Sequence, residues 1–163
     1  RLPFDPVSVP VAAVSSAVVD EVRSALTQRG IGLGVGLRLD LPPTTFRCLL
    51  DDNLWRHIVG NLVSNALKYS QEGSYVDVVI QAVDPHLMLT VTDRGIGIAQ
   101  HDLPHLFEAF HRGGNVGQIS GTGLGLSVVK QAVSAHQGQI EVDTTLGQGT
   151  RFSIRLPLKV PAA

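Results

Sequence analysis

Cysteine is almost missing from this sequence. Cys48 stands alone, which excludes an internal disulfide and any cysteine metal cluster. We read it as a small buried apolar residue on a strand, and such sparse usage fits a reducing, cytoplasmic compartment. An excess of charge of one sign is also lacking. The formal net charge is -1 at pH 7, which gives no electrostatic reason to expect nucleic acid or an anionic membrane surface as a partner. Long apolar runs are missing too: Val7 to Val19 is interrupted by Ser8, Pro10, Ser15 and Ser16, so it is no membrane span and no direct membrane contact is expected. There is no internal repeat, low-complexity linker or signal-peptide pattern. The chain begins at Arg1 without Met, so we expect it to be a piece of a longer protein, itself either membrane-anchored or soluble. What is present is 163 residues at 44% hydrophobic and 17% charged, enough for one globular domain, 1–163, with a real core.

The apolar spacing predicts the elements. Val11, Val14, Val18, Val22 and Leu26 recur at three and four residues, predicting a helix from Val11 to Arg29 that stops at Gly30. Val35 to Asp40 alternates as a strand, Pro42 and Pro43 break the chain, and Thr45 to Leu50 reads as a second strand. Asp51 or Asp52 is placed to cap a long helix that runs to about Tyr69. Tyr75 to Val83 and Leu87 to Thr92 read as a hairpin around Asp84 and Pro85. A short helical piece is expected between Asp102 and Phe110, then a mobile surface loop from His111 to Ser120. Leu124 to His136 is helical and Gly138 is expected to close it. Gln139 to Thr144 and Thr150 to Leu156 form a last hairpin. This order predicts an α+β two-layer sandwich: a mixed, mostly antiparallel sheet of about five strands or more, covered on one face by about three helices.

Four short segments at element boundaries carry the chemistry. Asn61, Asn65 and Lys68 lie at i, i+4 and i+7, one line opposite the apolar stripe of the central helix. Two amide oxygens one turn apart suit a hard cation such as Mg²⁺, and a lysine a turn further suits a phosphate. Taken alone, the same line is also what a solvated helix face looks like. Asp93, followed by Gly95 and Gly97, ends a strand. Glycines there would let a planar ring approach the backbone, and a fixed carboxylate could accept from an adenine amino group while repelling a guanine carbonyl. Taken alone, this is also a plain Asp–Gly turn. Gly121 to Gly125 precedes a helix, and its N–H groups form an anion site. No strand precedes it, so it is not a dinucleotide-binding fingerprint. Gly147, Gly149 and Thr150 make a hairpin turn, with Thr150 a further candidate at a base pocket.

As a set, these segments resemble the ATP-binding catalytic domain of sensor histidine kinases. That domain belongs to the superfamily of gyrase-type, mismatch-repair and chaperone ATPases. Asn61 to Tyr69 is similar to that family's asparagine box, Asp93 to Ile98 to its first glycine box, Leu106 to Phe110 to its phenylalanine box, and Gly121 to Leu126 to its second glycine box. The resemblance implies a Bergerat-type ATP-binding fold with ATP and Mg²⁺ as cofactors. By it, Asn65 would be the Mg²⁺ ligand, Asn61 would lie beside the phosphates and Lys68 would touch the terminal ones. Tyr69 would pack near the adenine. Asp93 would read the amino group, with Gly95, Gly97 and Ile98 at the base pocket. Gly121, Thr122, Gly123, Leu124, Gly125 and Leu126 would bound the triphosphate, under a lid between Phe110 and Gly121 in which Arg112 is the phosphate-contacting cation.

The implied partners are a histidine-bearing dimerisation domain of the same full-length protein and, downstream, a response regulator receiver domain. None of the six histidines sits in the expected acceptor context; His101 to Pro104 is closest and is read as a helix start. The superfamily's hydrolases are similar but have a glutamate where Asn61 stands. An amide cannot serve as that general base, so transfer to histidine is favoured over hydrolysis. Two alternatives stay open: an ATP hydrolase of the same superfamily, and a degenerate nucleotide-gated module. The second is kept open by a lid that has no Lys or Arg between Arg112 and Lys130.

Overall fold

The computed structural model describes residues 3–108 and 125–162. Helix α2 (Asp52–Tyr69) and helix α3 (Gly125–Ala135) lie against a five-stranded sheet in the order β2-β4-β5-β7-β6, and helix α1 (Val11–Gln28) packs against α2. The strands are β2 (Gly36–Asp40), β4 (Tyr75–Val83), β5 (His86–Asp93), β6 (Gln139–Thr145) and β7 (Gly149–Pro157). β2 pairs parallel with β4 and the other pairs are antiparallel. The expected mixed sheet is therefore present.

One element escapes the periodicity. β1 (Pro6–Pro10) pairs antiparallel with β3 (Arg47–Asp51) as a separate two-stranded ribbon, with Val9 opposite Cys48. Its terminal prolines donate nothing to a ladder, so it reads poorly as a strand; proline is tolerated at such edge and end positions. Cys48 is buried on β3, as its sequence context predicts.

α2 is central because its apolar stripe is broad. Leu54, Trp55, Ile58, Val59, Leu62, Val63, Ala66 and Leu67 are all buried, and α2 touches both α1 and α3 as well as β5. Asp51, not Asp52, caps it: Asp51 Oδ1 accepts from Leu54 N–H at 3.0 Å, while Asp52 pairs with Arg56. Asp51 also ties three parts together. Its Oδ2 accepts from Asp5 N–H at 2.8 Å and its own N–H donates to His136 Nε2 at 3.1 Å. Since Nε2 accepts, Nδ1 carries the hydrogen and donates to Ala132 O at 2.8 Å. Burial in this neutral arrangement pushes the His136 pKa down.

The end of α3 differs from expectation. The left-handed residue is Gln137, with φ 59°, and not Gly138. Gly138 is required for packing: a Cβ there would lie 2.5 Å from Arg155 O and from a Leu156 methyl. The piece expected between Asp102 and Phe110 is a 3-10 segment at Gln100–His105.

α1 is fixed to α2 by one polar bond inside the core. Trp55 Nε1 donates to Ser15 Oγ at 3.0 Å, and both residues are fully buried. Ser15→Ala strands that N–H without a partner, so we expect a loss of about 1–3 kcal/mol in urea unfolding. A change within ~0.5 kcal/mol would show that the bond contributes nothing net. No helix among the described residues is long and apolar enough to cross a membrane.

Candidate nucleotide site

The inner face of the sheet is built in rungs. Directly opposite residues on neighbouring strands project to the same side. Leu89, Ile154 and Ile140 form one apolar rung, and Val91, Phe152 and Val142 the next. The following rung is Asp93, Thr150 and Thr144. The face that packs under the helices thus ends in a polar row.

Asp93 is held at that edge by backbone donors. Gly95 N–H and Thr150 N–H both reach Oδ1, at 3.0 and 3.3 Å. Burial pushes the carboxyl up to about 6, against these two donors and the charge of Arg94, which pull it down. It is therefore a desolvated carboxylate at neutral pH. Arg94, next in sequence, is anchored on the sheet's outer face: Nη1 donates to Tyr75 O at 2.6 Å and Nη2 meets Asp77 Oδ2 at 2.7 Å. Arg38 joins the same carboxylate, and its hydrogen bonds are the main reason that Asp77 stays below the usual carboxylate range.

The turn after Asp93 is clamped from two sides. Ile96 N–H donates to Tyr69 O at 3.2 Å, and Gly147 N–H donates to Ile96 O at 2.8 Å. This explains both glycines. A Cβ on Gly95 would lie 1.9 Å from Tyr69 O, and one on Gly97, which has φ 72°, would lie 2.3 Å from Thr145 O. The close approach that they permit is of the chain's own backbone. The end of α2 and the β6–β7 turn are thereby fastened to the Asp93–Ile98 turn.

The other end of α2's polar line meets α3. Asn61 Nδ2 donates to His57 O at 2.7 Å, which leaves Oδ1 directed away from its own helix. A Cβ on Gly125 would sit 2.9 Å from that Oδ1. Asn61, Asn65, Lys68 and Tyr69 are all half-buried. Tyr69 lies eight helical steps beyond Asn61, a run of about 12 Å. Asn61, Gly125, Asn65, Lys68, Tyr69, Gly95, Asp93, Gly97, Ile98 and Thr150 thus border one stretch of the molecule. Leu126 packs, half-buried, against the core. Arg112, Gly121, Thr122, Gly123 and Leu124, and with them the expected lid, lie outside the described residues.

Thr144 belongs to this site and the local sequence pattern does not single it out. Its Oγ1 accepts from Ile98 N–H at 3.0 Å and lies 2.8 Å from Thr150 Oγ1. The signal was the alternation Ile140, Val142, Thr144 on β6, which aligns this hydroxyl with Thr150 once the hairpin register is known.

As to donors for a cation, no cluster of three or more His, Cys, Asp or Glu among the described residues could hold a metal. The line on α2 offers amide oxygens. Such a donor set fits a hard cation that brings most of its oxygen ligands with it, as phosphate and water.

A family model described as Histidine kinase-, DNA gyrase B-, and HSP90-like ATPase matches residues 50–160. The chain is 40% identical over 126 residues to the histidine protein kinase DivJ of Caulobacter vibrioides, covering 77% of this chain and 21% of that protein. It is 39% identical over 122 residues to the sensor-like histidine kinase SenX3 of Mycobacterium tuberculosis, covering 74% and 30%. The chain therefore spans less than a third of the length of these relatives. Among solved structures, it superposes on the mycobacterial sensor histidine kinase MprB with a TM-score of 0.76 at 29% identity, covering 96% of this chain and all of that one. Full-length ShkA in complex with AMPPNP gives a TM-score of 0.74 at 27% identity, covering 100% of this chain and 33% of that one. The family model takes in well over half of the residues, including the polar rung and the line on α2, so the chain belongs to the Histidine kinase-, DNA gyrase B-, and HSP90-like ATPase family.

Proposed function

We propose that this domain binds Mg-ATP and acts as the catalytic part of a sensor histidine kinase. It passes the γ-phosphate to a histidine on a separate dimerisation domain of the same full-length protein, from which a response regulator receiver domain is served. The observation that carries the reading is the desolvated Asp93 at the end of the sheet, continuous with the amide and lysine line on α2. Asp93 and the Ile98 turn receive the adenine, with Tyr69 beside it. Asn61, Lys68 and the start of α3 at Gly125 and Leu126 receive the phosphates, with Gly121 to Leu124 and Arg112 completing that end. Mg²⁺, held through Asn65, would supply charge neutralisation along the triphosphate. The chain's own groups position and orient: nothing on the α2 line can take a proton from water, because Asn61 is an amide where a hydrolase needs a carboxylate. The domain works in the cytoplasm, where ATP is available.

The test is calorimetric titration with ATP and Mg²⁺, followed by phosphate release. Binding with negligible release is the expected result. Rapid release would make the protein a hydrolase, and no binding at millimolar ATP would reduce it to an interaction module. Transfer itself is read with the dimerisation domain added back.

A further inference from the structure

The polar rung fixes the direction of its own hydrogen bonds. A threonine hydroxyl has one hydrogen and two lone pairs. Around Thr144 Oγ1 there are three partners: Ile98 N–H at 3.0 Å, Gly149 O at 3.0 Å and Thr150 Oγ1 at 2.8 Å. An N–H only donates and a carbonyl only accepts, so one lone pair goes to Ile98 and the hydrogen goes to Gly149 O. One assignment alone then satisfies the third contact: Thr150 donates its hydrogen to Thr144. Thr150 Oγ1 is left with lone pairs only, and its N–H is already engaged by Asp93 Oδ1. Its neighbour in the row, Asp93, offers lone pairs as well.

From this we propose that Thr144, which a bound base would not need to touch, is a positioning residue that sets base specificity, by holding the Thr150 hydroxyl as an acceptor toward the pocket. This rests on the nucleotide reading above. The row beside Asp93 then accepts and does not donate. It suits a purine with an amino group at position 6 and opposes one with a carbonyl there, either directly or through a water that takes its orientation from Thr150. Asp93 alone would give part of this preference. The hydroxyl beside it would weaken the preference if it were free to rotate, because it could turn its hydrogen toward a carbonyl. Thr144 prevents that rotation.

The experiment compares the affinities of ATP and inosine triphosphate, in which a carbonyl replaces the 6-amino group and N1 carries a hydrogen, by calorimetry with Mg²⁺. Wild type is expected to prefer ATP. Thr144→Val keeps the β-branched shape on the strand but frees the Thr150 hydroxyl, and is expected to narrow the ATP-to-ITP ratio about fivefold or more. Thr144→Ser retains the hydroxyl and is expected to keep the wild-type ratio. Thr150→Val keeps the Ile98-to-Thr144 bond, removes the hydroxyl altogether and is also expected to narrow the ratio, so the test survives a poorly folded Thr144→Val. Equal losses for both nucleotides in Thr144→Val and Thr150→Val would assign Thr144 a packing role only and overturn the proposal. Failure of wild type to bind ATP would instead overturn the functional reading beneath it.

Discussion

Asp93→Asn is expected to weaken ATP binding by about 10- to 100-fold while making the nucleotide-free domain more stable. The two effects have one cause. Burial raises the Asp93 carboxyl from 3.8 to about 6, so the folded chain holds that proton more tightly than the unfolded chain. The resulting contribution favours folding below pH 3.8 and is lost as pH rises through about 6. At pH 7 the ionised group therefore costs the fold, by about 3 kcal/mol at ~1.4 kcal/mol per pH unit. Asn can still accept from Gly95 and Thr150 through its oxygen, and it carries no charge to desolvate. Its NH₂ must also find a partner, so a gain of about 1–2 kcal/mol is expected in urea unfolding at pH 7, vanishing toward pH 4. Binding moves the other way, because an adenine amino group loses a charged acceptor, worth about 1.5–3 kcal/mol. For wild type the same logic predicts weaker ATP binding as pH falls through about 6. Unchanged ATP affinity in Asp93→Asn would remove Asp93 from the base pocket, and a destabilised variant would contradict the burial cost.

Gly95→Ala is expected to do damage of a different kind. The added Cβ meets backbone at 1.9 Å and 2.6 Å, the carbonyl oxygen and carbon of Tyr69. No rotamer change relieves a clash with a main-chain carbonyl. Relief requires the turn to leave the end of α2, which breaks the Ile96-to-Tyr69 hydrogen bond and the bridge between Ser70 and Gly95. A loss of about 3 kcal/mol in unfolding free energy is expected, the upper range for overpacking. ATP binding is expected to be lost even where the domain remains folded, since Gly95 N–H is one of the two donors on Asp93. A variant within ~0.5 kcal/mol of wild type that binds ATP normally would show that the clamp at Tyr69 is dispensable.

The parts of this molecule that were legible beforehand are those with local causes. α2 was visible because its eight buried residues repeat along one stripe and Asp51 caps it. The hairpins were visible because alternation flanks the turn residues. β1 was hidden by its two prolines and by a partner, β3, some forty residues away. Gln137 carries no mark of its left-handed backbone, and a glycine one position later drew the inference to itself. Within the site, Asp93, Asn61 and the glycines could be picked out as residue types at boundaries. Their reasons could not. Residue type alone points Gly95 and Gly97 toward a ligand's approach, whereas the nearest atoms within reach of a side chain are the backbone oxygens of Tyr69 and Thr145. Thr144 depends on the register of three strands at once, and no window of sequence contains that register.

The clamp on the Asp93–Ile98 turn has a thermodynamic consequence. The turn is pinned by Tyr69 O on one side and by Gly147 N–H on the other, before any ligand arrives. Little conformational freedom is left there to freeze, so in the proposed role docking of a ring would incur almost no ordering entropy at its floor. On the proposed reading, the end of the site that would recognise the ring is a rigid template, and the choice among rings would be made by a surface shaped in advance.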